Sequence, residues 1–228
     1  MRADFHIHTQ VSPDSFMSPE TLVKACLRAG LDTIAVTDHH TIRGALEVQK
    51  IAPFPVIVGA EFRTAEGEII GLFLKEDVPR RISALETVKL IKAQGGLVQI
   101  PHPFDFFRRK HIKYDALLEV LPYVDIIEAF NARTTLKGDI MKSVRFIQEH
   151  KVTHNHIVPT GVTDSHTPFE IGHAYVDMPS FKGPHDFLDA LRHGRIVGRQ
   201  TTPLIHVATR WTVYTKRLGL LGKVPARQ

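Results

Sequence analysis

Cysteine is nearly absent from this 228-residue chain: Cys26 stands alone. A single thiol cannot form an intrachain disulfide framework, so the fold must hold by burial, and a reducing, cytoplasmic setting is expected. Long apolar runs are also missing. Nothing approaches the ~20 residues that span a bilayer, and the opening MRADFHIH lacks the apolar stretch of a secretory signal, so neither a membrane span nor a cleaved leader is expected. No internal repeat, low-complexity tract or linker interrupts the chain. Hydrophobic content of 43% and charged content of 23% are ordinary for a globular protein, and the chain is long enough to bury a sizeable core. What is plentiful is histidine, with 14 residues. The net charge of +5 leans toward an anionic partner, but only weakly, because histidines can also hold metal.

Short β-branched runs alternate with helical patterns. Residues 3–8, 33–38, 56–62, 68–74, 97–102, 125–131 and 156–164 read as strands. Between most of them lie helices. Residues 18–31 carry Ser18 as cap, Pro19 at the first helical position and Gly30 as stop; 83–96 repeats that design, and 137–150 and 183–194 follow. Strands alternating with helices argue for a parallel sheet. About seven strands in this length suggest an α/β fold, a small or distorted (β/α)7 barrel, over residues 1–205. Residues 206–228 form a basic tail with Arg210, Lys216, Arg217, Lys223 and Arg227.

Chemistry gathers at the ends of the strands. His6 and His8 are two apart, so a strand points both to one side. Alone such a pair serves structure as readily as metal. Here it has company: Asp14 in the following loop, Asp38, His39 and His40 after the second strand, Glu61 after the third, His102 after the fifth, Asp164 and His166 after the seventh. Carboxylates and imidazoles at that density, if buried, need cations to offset their repulsion and lost solvation, and several divalent metals are the simplest arrangement.

In order, HxHT, the later aspartate, TDH, GxE, HP, ExxN and the SDxH-like TDSH resemble the polymerase and histidinol phosphatase (PHP) family of metal-dependent phosphoesterases, from about Phe5 to about Arg199. The resemblance implies a distorted seven-stranded barrel with up to three divalent ions (Zn, Mn or Fe) at its mouth. It implies that His6, His8, Glu61 and Asp164 hold the first, that Glu61 bridges to a second shared with His102, and that Asp14, His39 and His166 hold the third. The second ion's remaining ligand is usually a histidine three residues before the glycine of strand four. Gly71 puts Glu68 there. Glu68 is then either an oxygen ligand or a surface residue after Gly67. His40 is expected beside the ligands rather than among them, and Asp38 is expected to orient His39 or cap its loop. Three divalent ions against four carboxylates leave a site of about +2, suited to a phosphate monoester.

The resemblance implies hydrolysis of a phosphate ester, with Asp164 and His166 as the groups able to move protons. Arg133 in NAR and Arg199 in VGRQ are candidates to grip phosphate, or else surface ion pairs. FDFFRRKHIKYD (104–115) mixes aromatics with Arg108, Arg109, Lys110 and Lys113, which suits a nucleotide or equally a surface loop. A small nucleotide or oligonucleotide end is the preferred substrate. Histidinol phosphate and a non-catalytic metal-binding regulatory module are the alternatives. His111, His154, His156, His185 and His193 read as surface residues; no motif claims His173 or His206.

Overall fold

A computed structural model describes residues 1–108 and 110–219, with Ala208 by its backbone alone. Arg109 and the tail residues Lys223 and Arg227 lie outside the described residues. The order is β1 (Arg2–Asp4), α1 (Pro19–Ala29), β2 (Thr33–Val36), α2 (Arg43–Gln49), β3 (Val56–Arg63), β4 (Glu68–Leu72), α3 (Ala84–Ala93), β5 (Leu97–Ile100), α4 (Tyr114–Val120), β6 (Ile126–Asn131), α5 (Lys137–His150), β7 (Val158–Val162), β8 (Ala174–Asp177), α6 (Pro184–Arg192), β9 (Arg195–Gly198) and α7 (Ile205–Arg217). No described helix is long and apolar enough to cross a membrane.

Strands β7 to β1 lie side by side in reverse chain order, and β8 and β9 extend the sheet beyond β1. Past the end of β1 the chain bridges in parallel to the segment after β7, through Ile7 and Ser165, so the sheet is nearly closed. One apolar cluster draws on all seven strands: Ala3, Ala35, Ile57, Ile70, Leu72, Leu97, Ile126 and Val158, with Phe187 and Leu191 of α6 against them. It fills the floor. Outside, Val88, Ile91, Leu117 and Phe146 of the helices cover Phe62, Ile69, Ile100 and Ile127. Each such side chain contributes roughly 1.5–3 kcal/mol of burial.

The four expected helices are present, and α1 has the expected ends: Ser18 accepts from the Thr21 N–H at 3.2 Å, and Gly30 takes a left-handed φ of 67°. Two helices (α2 and α4) and two strands (β8 and β9) were not expected, and the basic tail, which reads as a solvated terminal helix or a loose end, begins with helix α7. Of the helices, α2 and α4 have seven residues each and no capping side chain, so they carry little local signal. The expected parallel sheet has two antiparallel strands: β8, which pairs with β1 and β9, and one within the strands the sequence marks. β4 runs antiparallel to both β3 and β5, because residues 64–67 close a hairpin in place of a helical crossover. Gly67 at φ 147° makes the turn, and a Cβ there would lie 2.3 Å from Ile112 Cα. The strands also end earlier than their apolar runs. Phe73, His102 and Asp164 have positive φ (58°, 28° and 56°), which removes them from the ladder. β1 ends at Asp4, and beyond it Thr37 replaces part of the ladder: its N–H donates to Ile7 O, and its hydroxyl accepts from the Ile7 N–H.

Candidate metal centre

Donor side chains from the strand ends and from the loops beyond them meet. His6 Nε2 and His8 Nε2 lie 3.0 Å apart. Around them, Asp164 Oδ1 stands 3.5 and 3.6 Å away, and Glu61 Oε2 3.7 and 3.5 Å away. The other Glu61 oxygen, Oε1, lies 3.2 Å from His102 Nε2, and Glu68 Oε2 lies 3.9 Å from that same nitrogen. On the opposite flank, Asp14 Oδ2 is 3.2 Å from His39 Nε2 and 3.3 Å from His166 Nε2, while His39 Nδ1 is 3.0 Å from Glu61 Oε2. Glu61 therefore stands in the middle of the row. All nine residues expected from the motifs come together. Glu68 is buried; the reversal of β4 brings its first residue to the same end as the last residues of the parallel strands.

A further set of residues holds this set in place. Glu128 accepts from His6 Nδ1 at 2.7 Å, Gln99 Nε2 at 2.9 Å, and the His102 N–H and Asn131 Nδ2 at 2.8 Å each. With Nδ1–H fixed, His6 turns Nε2 to the centre. His8 Nδ1 lies 3.1 Å from Ser12 Oγ, which donates to Asp38 Oδ1 at 2.6 Å and accepts from the His39 N–H at 3.0 Å. Asp38 also accepts from Thr9 N–H and Oγ, so it caps the loop after β1. His40 stays at the rim: its Nδ1 accepts from the Arg63 N–H at 3.4 Å. Glu128 and Asn131 were visible only as the ends of ExxN, and Gln99 and Ser12 carried no signal in the sequence.

The arginines divide. Arg133 is buried: its Nε lies 3.4 Å from Glu170 Oε1, and its terminal nitrogens reach His166 Nδ1, Asp164 O and Thr209 Oγ1. It is no surface ion pair. Arg199 is exposed; its backbone N–H donates to His173 O, and no described contact ties its side chain to the cluster. Arg108 reaches in from the basic aromatic segment and pairs with Asp164 Oδ2. Phe106 and Phe107 beside it are 70% and 63% exposed.

Whether these residues suit a cation can be tested on their own atoms. Asp164 Oδ1 and Asp14 Oδ1 are buried with no hydrogen-bond partner. Burial pushes the Glu68 carboxyl up and the charge of Glu61 pushes it further, as expected for two carboxylates sharing space without a cation between them. Burial brings His8 and His166 down to about 4, so both are neutral and have a free lone pair to offer. Burial opposes charge on His6 and His39 as well, but neighbouring carboxylates outweigh it and hold both well above the ordinary value. The donor set of imidazole nitrogens and carboxylate oxygens fits borderline divalent metals. Among the described residues, three triads have donor atoms within 4.8 Å of one another: His6/His8/Glu61, His8/His39/His166 and His39/Glu61/Glu68.

One protein of Methanocaldococcus jannaschii, itself uncharacterized, is 30% identical over 202 residues, which cover 84% of this chain and 79% of that one. A second from the same organism is 44% identical over 117 residues, 46% of this chain and 68% of the other. Among solved structures, PsfC of Pseudomonas syringae PB-5123 shares the fold at TM-score 0.65 and 14% identity, covering 94% of this chain and 98% of its own. Endonuclease Q, in complex with a 27-mer duplex carrying an abasic lesion at the active site, matches at TM-score 0.62 and 15% identity. That match covers 84% of this chain and 56% of the longer protein. The family model for the PHP domain spans residues 4–147, which takes in His6, His8, Asp14, His39, Glu61, Glu68, His102 and the ExxN of β6, and the chain belongs to the PHP domain family.

Proposed function

We propose that the chain is a phosphoric ester hydrolase working with three divalent cations (Zn, Mn or Fe). One observation carries this reading: His6 Nε2, His8 Nε2, Glu61 Oε2 and Asp164 Oδ1 have five measured separations of 3.0–3.7 Å. Four ligands at about 2.0–2.2 Å in tetrahedral geometry stand about 3.3–3.6 Å apart. Those four would hold the first cation. Glu61, through its other oxygen, would hold the second with His102 and Glu68, and Asp14, His39 and His166 would hold the third.

When bound, such cations supply Lewis-acid charge and make a water acidic enough to attack phosphorus near neutral pH. The chain's own groups do the rest. Glu128 keeps the His6 ring turned to the centre, and Ser12 does the same for His8. Arg133, held against Glu170, offers a guanidinium fork for phosphate oxygens. Its contact to His166 Nδ1 needs a bare nitrogen there, whereas the Asp164 carbonyl, 2.8 Å away, needs Nδ1–H. Were His166 to hold a cation, its ring would keep Nδ1–H for the Asp164 carbonyl and leave the Arg133 donors for the substrate. Asp164 and His166 are the groups placed to move protons. Arg199, exposed at the β9 end, is the outer candidate for a second phosphate.

The substrate class is a small nucleotide or an oligonucleotide end. Exposed Phe106 and Phe107 beside Arg108 offer stacking next to charge, and the lesion-bearing duplex of Endonuclease Q is compatible with a nucleotide at such a mouth. The deciding experiment is a substrate panel on metal-loaded protein with 3′,5′-bisphosphates, 5′-phosphorylated oligonucleotides and histidinol phosphate. Phosphate release from the nucleotides is expected. Release from histidinol phosphate alone would move the reading to that substrate, and no release from any ester would leave a metal-binding regulatory module.

A further inference from the structure

Helix α7 lies in the segment that reads as a basic tail, yet it spans the site. Near its start, His206 Nε2 donates to Arg133 O at 3.1 Å, and Thr209 Oγ1 accepts from the Arg133 guanidinium. Near its end, Lys216 Nζ donates to Gln10 O at 2.8 Å, Ser12 O at 2.7 Å and Ser15 O at 2.5 Å. Its course therefore runs from the loop after β6 to the loop after β1, about 20 Å for thirteen residues. The helix faces the barrel with polar groups: Thr212, Thr215 and Lys216 are buried, while Val207, Trp211 and Tyr214 are exposed. Apolar burial does not hold this side down; hydrogen bonds do.

The ammonium group has three donors and no acceptor, and all three donors are taken by carbonyls of one short loop. Phe16 closes the site from outside, its ring centroid 5.0 Å from Nζ. That loop is the one whose parts reach the metal centre. Ser12 Oγ touches His8, Asp38 and the His39 N–H; Ser15 Oγ reaches His8 O at 3.1 Å and His166 O at 2.8 Å; Asp14 sits between His39 and His166. Residues 10–15 form no helix or strand, so their carbonyls depend on such a partner to hold one shape.

We infer that Lys216 is a positioning residue: by binding Gln10, Ser12 and Ser15 it fixes the Asp14 loop and so completes the third cation position. The inference rests on the three-cation reading above. Its action is through the loop, since Lys216 itself touches none of the proposed ligands.

The test compares wild type, Lys216→Met, Lys216→Arg and Trp211→Ala, each loaded with Mn²⁺. Metal per chain and amide exchange of residues 10–17 are measured beside kcat and KM on an aryl phosphate. Lys216→Met should lower affinity for one of three ions by about tenfold or more, the usual loss for a ligand's supporting partner. It should speed exchange in residues 10–17 and lower kcat more than it raises KM. Lys216→Arg, which keeps charge and donors, should recover part of each, and Trp211→Ala on the outer face should leave all of them unchanged. Three ions bound at wild-type affinity and unchanged loop exchange in Lys216→Met would overturn the inference. Loss of all three ions together, or the same losses in Trp211→Ala, would also overturn it, because they would mean general loosening. If Lys216→Met does not fold, Lys216→Arg decides by loop exchange. A wild type that binds only two ions would fail the three-cation reading, while loop exchange would still judge the clamp.

Discussion

Glu68 shows how one residue's role depends on the direction of its strand. A glutamate three positions before Gly71 could be a ligand or a surface residue; the antiparallel run of β4 places it 3.9 Å from His102 Nε2, with Lys110 Nζ 3.6 Å from its other oxygen. Glu68→Ala is expected to remove one bound ion and most activity, and Glu68→His to restore the ion. Full occupancy of the second position in the alanine variant, read from anomalous scattering, would return Glu68 to a bystander. Arg133→Ala should act twice. KM for a phosphate ester should rise with metal content intact, and the fold should weaken by about 3–5 kcal/mol, because Glu170 then stays buried without its cation. Urea titration beside kinetics separates the two effects. Most of the metal-ligand candidates were legible because they are donor types at the ends of apolar runs; Asp14 stands in its loop, and Glu68 at a strand's start was legible only through the family resemblance. Glu128 was less so. Its importance lies in four donors from residues 6, 99, 102 and 131, a meeting that no local pattern reports.

Among the elements, the hairpin of β3 and β4 departs from the simple alternation of strand and helix. Its turn depends on Gly67, where φ is 147° and the backbone of Ile112 leaves no room for a Cβ. Gly67→Ala should cost at least about 1–3 kcal/mol, measured by chemical denaturation, and should weaken binding of the ion assigned to Glu68 more than that of the ion assigned to His6. Equal stability of the variant and the parent would mean that the turn relaxes freely. The sequence marked helices α1, α3 and α6 well, because Ser caps, Pro starts and Gly stops are local chemistry, and marked α5 by its fourteen-residue length alone. It marked strand ends poorly. Phe73, His102 and Asp164 leave the ladder through positive φ, which tertiary contacts impose on ordinary residues. At seven and four residues, α2 and β9 carry too little local pattern to read.

For the whole molecule, the floor of the barrel is apolar and the mouth is ionic, so removing cations should loosen one end only. Chelation is expected to leave a folded chain with a lower melting temperature. A ligand present at a thousand times its Kd adds about 4 kcal/mol. A melting temperature indifferent to chelator would show that the native protein carries no metal. The barrel-like α/β fold and the gathering of imidazole and carboxylate donors at one mouth followed from alternation and strand-end chemistry. The flanking pair β8 and β9 and the strap α7 did not, because their partners are far away in the chain.

That same distance sets an order in time. The proposed ligands run from His6 to Asp164 and His166, and the lysine that steadies their loop is Lys216. A chain emerging from the ribosome holds its first histidines long before the aspartate and lysine that finish their surroundings exist. Capture of the proposed cations at full strength therefore has to wait until synthesis has passed Lys216, and until then His6 and His8 lack the partners that would select among metals.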